Sequence, residues 1–119
     1  MDCSSLKFQR ERRLLNSRDY SHVFDSPRKI HNKAFTLLVR QNQFTHPRLG
    51  LIIAKKNLKL AHQRNWVKRI LREGFRLQQN DFQCFDMVIL TRRDIAVLSK
   101  KDIIHLRDDL FERFRRKCK

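Results

Sequence analysis

The sequence predicts a single α+β domain, a two-layer sandwich in which helices pack on a small, mostly antiparallel sheet. Three observations predict it. The runs Ala34 to Val39, Leu49 to Ala54 and Asp86 to Leu90 are short, apolar and β-prone. Other stretches carry apolar residues at three- and four-residue spacing, the period of a helix with one buried face. Two prolines and two glycines in the whole chain argue against a loop-rich fold. At 119 residues, nine of them Phe, the chain is long enough for one hydrophobic core and too short for two ordinary domains, so residues 1–119 are read as one unit.

In order, Met1 to Leu15 is a basic arm with Arg10, Arg12 and Arg13 and little periodicity, expected to be extended and partly mobile. Ser17 reads as an N-cap, with Asp19 in the first turn and Tyr20, Val23 and Phe24 as an aromatic stripe. Ser26-Pro27 ends this helix, because the residue before proline is pushed out of the α region. Arg28 to Lys33 reads as a basic connector. The run Ala34 to Val39 is the first strand and Gln41 to Pro47 a polar loop or turn. Leu49 to Ala54, apolar on both sides, is a second strand, central or covered by a helix, expected to pair with the first as an antiparallel hairpin. Lys55-Lys56-Asn57 leads out of the sheet into a helix from near Leu60 to about Leu77, which runs out in polar Gln78 to Asp81. Asp86 to Leu90 is the third strand and Thr91 to Val97 a basic connection. Ser99 with Asp102 resembles a capping box for a last helix with the stripe Ile103, Leu106, Leu110 and Phe114, and Arg113 to Lys119 set cations at its negative end. The resulting order is α-β-β-α-β-α.

The functional signal lies in Arg64 to Arg76. Wound at about 100° per residue, this stretch puts Val67, Ile70, Leu71, Gly74 and Phe75 on one face and Asn65, Lys68, Arg69, Arg72 and Arg76 on the other. Only Glu73 opposes the cations, and Lys55 and Lys56 stand just upstream. The formal net charge is +16. Such a body repels itself unless a polyanion shares its surface, and nucleic acid fits better than an anionic membrane. Asn65 adds a donor and acceptor suited to sugar or base edges. Tyr20 and Phe24 are either core residues or a stacking surface for unpaired bases, and Phe35 could serve either way, with the core favoured. Trp66 falls between the two helix faces, half-buried or stacked on a nucleotide, and the residues alone leave both open.

Catalytic signatures are lacking. The acids Asp102, Asp108, Asp109 and Glu112 sit among Lys100, Lys101, Arg107 and Arg113 on one helix, as solvated pairs do. The five His share no spacing and have no adjacent Ser or Cys nucleophile, and Gly50 and Gly74 form no phosphate-cradling loop. Cys3, Cys84 and Cys118 suggest neither a disulfide framework nor a zinc site. Reduced thiols, and the lack of a signal-like or membrane-spanning apolar run, lead to the expectation of a cytoplasmic protein.

Ala54-Lys55-Lys56, Ala61, Arg64-Asn65, Lys68-Arg69, Arg72-Glu73 and Phe75-Arg76 together resemble the RNR signature of the protein subunit of bacterial ribonuclease P. Arg13-Leu14, Asp19-Tyr20, Val23-Phe24 and Arg48-Leu49-Gly50 follow in the order and spacing of that family, so the resemblance covers roughly Arg12 to Phe114. It implies an α-β-β-β-α-β-α order with a left-handed βαβ crossover, akin to the second domain of ribosomal protein S5. One more strand is then due between Arg28 and Ala54.

The resemblance also implies a large catalytic RNA as partner, one protein per RNA, in a holoenzyme that cleaves the 5′ leader from precursor tRNA with Mg²⁺ held by the RNA subunit and substrate. The protein is then the non-catalytic component of an endoribonuclease, with no catalytic residue, metal site, membrane contact or small-molecule substrate of its own. Carried over, Lys55, Lys56, Arg64, Asn65, Lys68, Arg69, Arg72 and Arg76 contact RNA, and Tyr20 and Phe24, with Phe35 as a further candidate, line a cleft for the leader. Two positions depart from the family pattern: Trp66 stands at the third position of the RNR signature in place of arginine, and Leu38 where some members are aromatic. The competing reading is a general RNA-binding or ribosome-associated basic protein without an enzymatic role.

Overall fold

The chain runs through α1 (Ser17–Asp25), β1 (Arg28–His31), β2 (Phe35–Gln41), β3 (Arg48–Ile52), α2 (Ala61–Gln78), β4 (Phe85–Thr91), a 3₁₀ turn (Arg93–Val97) and α3 (Lys100–Lys117). This is a computed structural model, which describes residues 13–14, 17–44, 46–79 and 84–117. The predicted N-terminal arm lies outside those residues apart from Arg13 and Leu14, as do Cys3 and Cys118.

The four strands form one sheet in the order β1-β2-β4-β3. β1 pairs antiparallel with β2 and β2 antiparallel with β4, while β3 runs parallel to β4. The architecture is therefore a single α+β domain with a mostly antiparallel sheet and a β3-α2-β4 crossover. The hairpin expected between the runs Ala34 to Val39 and Leu49 to Ala54 is not formed, since β4 lies between β2 and β3. The physical reason is burial: Met87, Val88 and Ile89 are fully buried on alternating faces, so β4 belongs at the centre, with a partner on each edge. β3 is accordingly an edge strand. Its outer edge meets the N-terminal segment, where Arg13 bridges Leu49 and the Leu14 N–H donates to the Leu49 carbonyl at 3.0 Å.

The stretch read as a basic connector is strand β1. Its burial pattern has Ile30 alone inside, so it carries no periodicity to detect. A turn stabilised by Asn32 joins it to β2. The Asn32 Oδ1 accepts from the Ala34 and Phe35 N–H groups, each at 3.0 Å, and its Nδ2 donates to the Leu106 carbonyl at 2.8 Å and to Asp109 at 3.1 Å. One buried amide thus links the β1-β2 turn to α3.

Residue alternation sorts the sheet into two faces. On one, Phe35, Leu37, Val39, Met87 and Ile89 pack with Val67, Leu71 and Phe75 of α2 and Leu110, Phe111 and Phe114 of α3. On the other, Val23 of α1 packs with Leu14, Leu38 and Val88, flanked by Tyr20, Ile52 and Leu90. The helices α2 and α3 meet closely at Gly74, where a Cβ would stand 2.8 Å from Arg107 Cδ and 2.9 Å from Phe111 Cε2. Ser99 caps α3 by accepting from the Asp102 N–H at 3.1 Å. Ser17 is the first residue of α1, one position inside its predicted place as a cap.

Candidate nucleic-acid interface

The sequence of α2 sets its orientation. Val67, Ile70, Leu71, Gly74 and Phe75 are its buried residues, the same five that helical spacing placed on one face. Burying them turns Asn65, Arg69 and Arg72 to solvent and leaves Arg64, Lys68 and Arg76 half-buried along the sides. Among the described residues, ion pairs within 4.0 Å engage Arg40, Arg48, Arg107, Arg113, Arg115 and Arg116, and none of Lys55, Lys56, Arg64, Lys68, Arg69 or Arg72 is paired with a carboxylate. The first turn of α2 holds no acid and Leu60 offers no side-chain cap, so the positive end of the helix adds to the same field.

Two hydrogen-bond sets hold the entry to α2. Arg64 donates from Nη1 to the Leu58 and Lys59 carbonyls, both at 2.8 Å, bracing the segment that leads into the helix while its other N–H groups stay available. Asn57 donates from Nδ2 to the Thr91 carbonyl at 3.0 Å, and the Thr91 Oγ1 accepts from the Ala54 N–H at 3.2 Å. The Lys55-Lys56 turn is thereby fastened to the end of β4 with both ammonium groups exposed. Beside it, Lys56, Asn57, Thr91, Arg92, Arg93 and Asp94 line an open depression of about 790 Å³. Arg92 was not singled out from the sequence. It reaches the sheet face under α1, donating to Thr36 Oγ1 at 3.2 Å.

The α1 face holds the aromatic candidates unequally. Tyr20 is half-buried against the small core under α1, and Phe24 is 44% exposed. Phe35 is fully buried on the opposite face, in the core beneath α2 and α3. It therefore offers no surface to a nucleotide, and the expectation that it joins Tyr20 and Phe24 is corrected by the pleat, which points odd-numbered β2 residues away from α1. Leu38 points toward α1 but is buried with Val23 and Val88.

Arg48 is a cation withdrawn from any such surface. Its guanidinium grips the fully buried Asp86 in two bonds, Nε to Oδ1 at 2.9 Å and Nη2 to Oδ2 at 2.7 Å, and approaches Asp19 of α1 at 3.4 Å. Asn42 donates to the same Asp86 Oδ1 at 2.8 Å, and the Phe44 ring lies 4.4 Å from the Arg48 guanidinium carbon. The Asp86 hydrogen bonds raise the Arg48 pKa above its ordinary value against the opposing cost of burial. Nothing in the spacing of Asp19, Arg48 and Asp86 announces this cluster, which ties α1 to β3 and β4.

Trp66 is half-buried, packed at the edge of the main core, with the Lys100 ammonium 5.2 Å from its ring centroid. Among the described residues no three His, Cys, Asp or Glu side chains gather into a group able to hold a metal ion, and no helix is long and apolar enough to cross a membrane.

Comparison with known proteins gives a consistent result. The family model for Ribonuclease P matches residues 8–115. A ribonuclease P protein component from Proteus mirabilis is 44% identical over 108 residues, spanning 91% of each chain. One from Pseudomonas aeruginosa is 46% identical over 100 residues, covering 83% of this chain and 74% of the relative. Among solved structures, the RNase P protein of Thermotoga maritima superposes with a TM-score of 0.76 at 29% identity, over 87% of this chain and 96% of that one. That of Staphylococcus aureus shares the fold with a TM-score of 0.78 at 22% identity, over 85% and 93%.

Proposed function

Because the chain belongs to the ribonuclease P protein family, we propose that it acts as the protein subunit of that enzyme in the bacterial cytoplasm. In this reading it binds the catalytic RNA through the exposed side of α2 and the Lys55-Lys56 turn, one protein per RNA. The 5′ leader of precursor tRNA lies on the α1 face, against Tyr20 and Phe24. The subunit promotes endonucleolytic removal of the leader to leave the mature tRNA 5′ end. The observation that carries the reading is the row Lys68, Arg69 and Arg72, held on a helix whose reverse side is core, with Lys56 in the turn before it, all four left without carboxylate partners among the described residues.

The chemistry follows from charge. Cutting a backbone phosphate brings a polyanionic substrate to a polyanionic catalyst, and their repulsion must be offset. A small body of charge +16 placed between them lowers that repulsion and holds both strands in one geometry. Among the described residues no three His, Cys, Asp or Glu side chains gather where they could hold a metal ion. The Mg²⁺ that the reaction uses is assigned to the RNA subunit and the substrate.

Reconstitution tests this directly. Added to a ribonuclease P RNA and precursor tRNA at low Mg²⁺, the protein should enhance leader removal, and the protein alone should leave the precursor intact. RNA binding without enhancement would make it a general RNA-binding protein instead, and cleavage by the protein alone would make it a nuclease in its own right.

A further inference from the structure

The first turns of α2 and the segment before α3 enclose a second cavity, of about 460 Å³, on the flank of the cationic row. Its apolar lining includes Trp66 and Leu98, its rim carries the amides of Gln63 and Asn65, and the cations Arg69 and Lys100 border it. We propose that this cavity takes one unpaired nucleobase of the RNA partner, stacked on Trp66, with the adjoining phosphate held by Lys100 and Arg69. The inference rests on the reading that α2 faces RNA, and adds a base contact to what is otherwise a phosphate-binding helix.

Three features favour a nucleotide as occupant. An indole bordered by amides and cations matches a base, which has a π face, a hydrogen-bonding edge and an attached negative charge. The Lys100 ammonium stands 5.2 Å from the ring centroid and its own residue is exposed, so a base can displace the ammonium and keep it as a phosphate partner. Lys100 and Lys101 also open α3, where the helix dipole disfavours cations, and an arriving anion relieves that repulsion. Trp66 stands where the RNR signature has arginine at its third position, so the site exchanges a cation for a stacking surface.

The sole tryptophan of the chain is its own reporter. Titrating the full-length protein with a ribonuclease P RNA should quench Trp66 emission with the midpoint found by filter retention. Trp66→Leu should lower the affinity roughly five- to a hundredfold, at an unchanged slope of log K against log salt because no charge is removed. Trp66→Phe should keep most of the affinity. Binding with unchanged emission overturns the proposal even if Trp66→Leu fails to fold, and so does wild-type affinity in a folded Trp66→Leu protein. A partner protein's side chain as the true occupant would also leave the RNA titration silent. Enhanced leader removal without quenching would remove this inference alone, whereas failure to bind the RNA would remove the functional reading with it.

Discussion

Tyr20 of α1 lies over Gly50 of β3 so closely that a Cβ on Gly50 would stand 2.6 Å from its Cε1 and 2.7 Å from its hydroxyl oxygen. The glycine is needed for space, and the contact sets how near α1 approaches the sheet. Gly50→Ala should therefore cost about 1–3 kcal/mol in denaturant unfolding through overpacking. In a Tyr20→Ala background the same change should cost clearly less, since the ring it collides with is gone. Equal costs in the two backgrounds would show that Tyr20 does not constrain this position.

The Arg48–Asp86 pair should matter to folding far more than to binding. Asp86 is fully buried and Arg48 partly so, and removing one partner strands the other charge. Asp86→Ala should destabilise by about 3–5 kcal/mol, read by chemical denaturation. The raised pKa of Arg48 means that its stabilising contribution is complete below its ordinary, unfolded-state value and fades only as pH rises through the still higher folded value. Arg48 should thus impose no loss of stability through the neutral range.

Phe24 and Phe35 separate leader binding from packing. Phe24→Ala, at a 44% exposed position, should leave the melting temperature nearly unchanged while weakening affinity for a precursor with a single-stranded leader by about 1–3 kcal/mol. A leaderless tRNA should show no such loss. Phe35→Ala should do the reverse, destabilising the core by about 3–5 kcal/mol with no leader-specific effect in protein that remains folded.

These contrasts follow what could be read from sequence. The two faces of α2 were legible because a helix repeats every 3.6 residues and five apolar side chains kept that period. Strand β1 was not, since Ile30 is its one inward residue, and only the family resemblance called for a strand in that region. The antiparallel pairing expected between Ala34 to Val39 and Leu49 to Ala54 failed because local pattern says nothing of a later strand inserting between them. The Asp19, Arg48 and Asp86 cluster and the Lys100–Trp66 contact were invisible for a similar reason: each joins elements distant in sequence, and topology alone brings them together.

The central claim is that one defined face of α2, rather than net charge, engages RNA. It is tested most directly by comparing Arg69→Glu/Arg72→Glu with Arg113→Glu/Arg116→Glu, two variants of equal charge, in RNA titrations across a series of salt concentrations. Arg113 and Arg116 already answer to Asp109 and Glu112 on α3, whereas Arg69 and Arg72 have no carboxylate partner among the described residues. The α2 variant should lose far more affinity, and its log K against log salt should flatten by roughly 0.7 to 0.9 for each phosphate contact removed. Equal losses and equal slopes in the two variants would contradict the account.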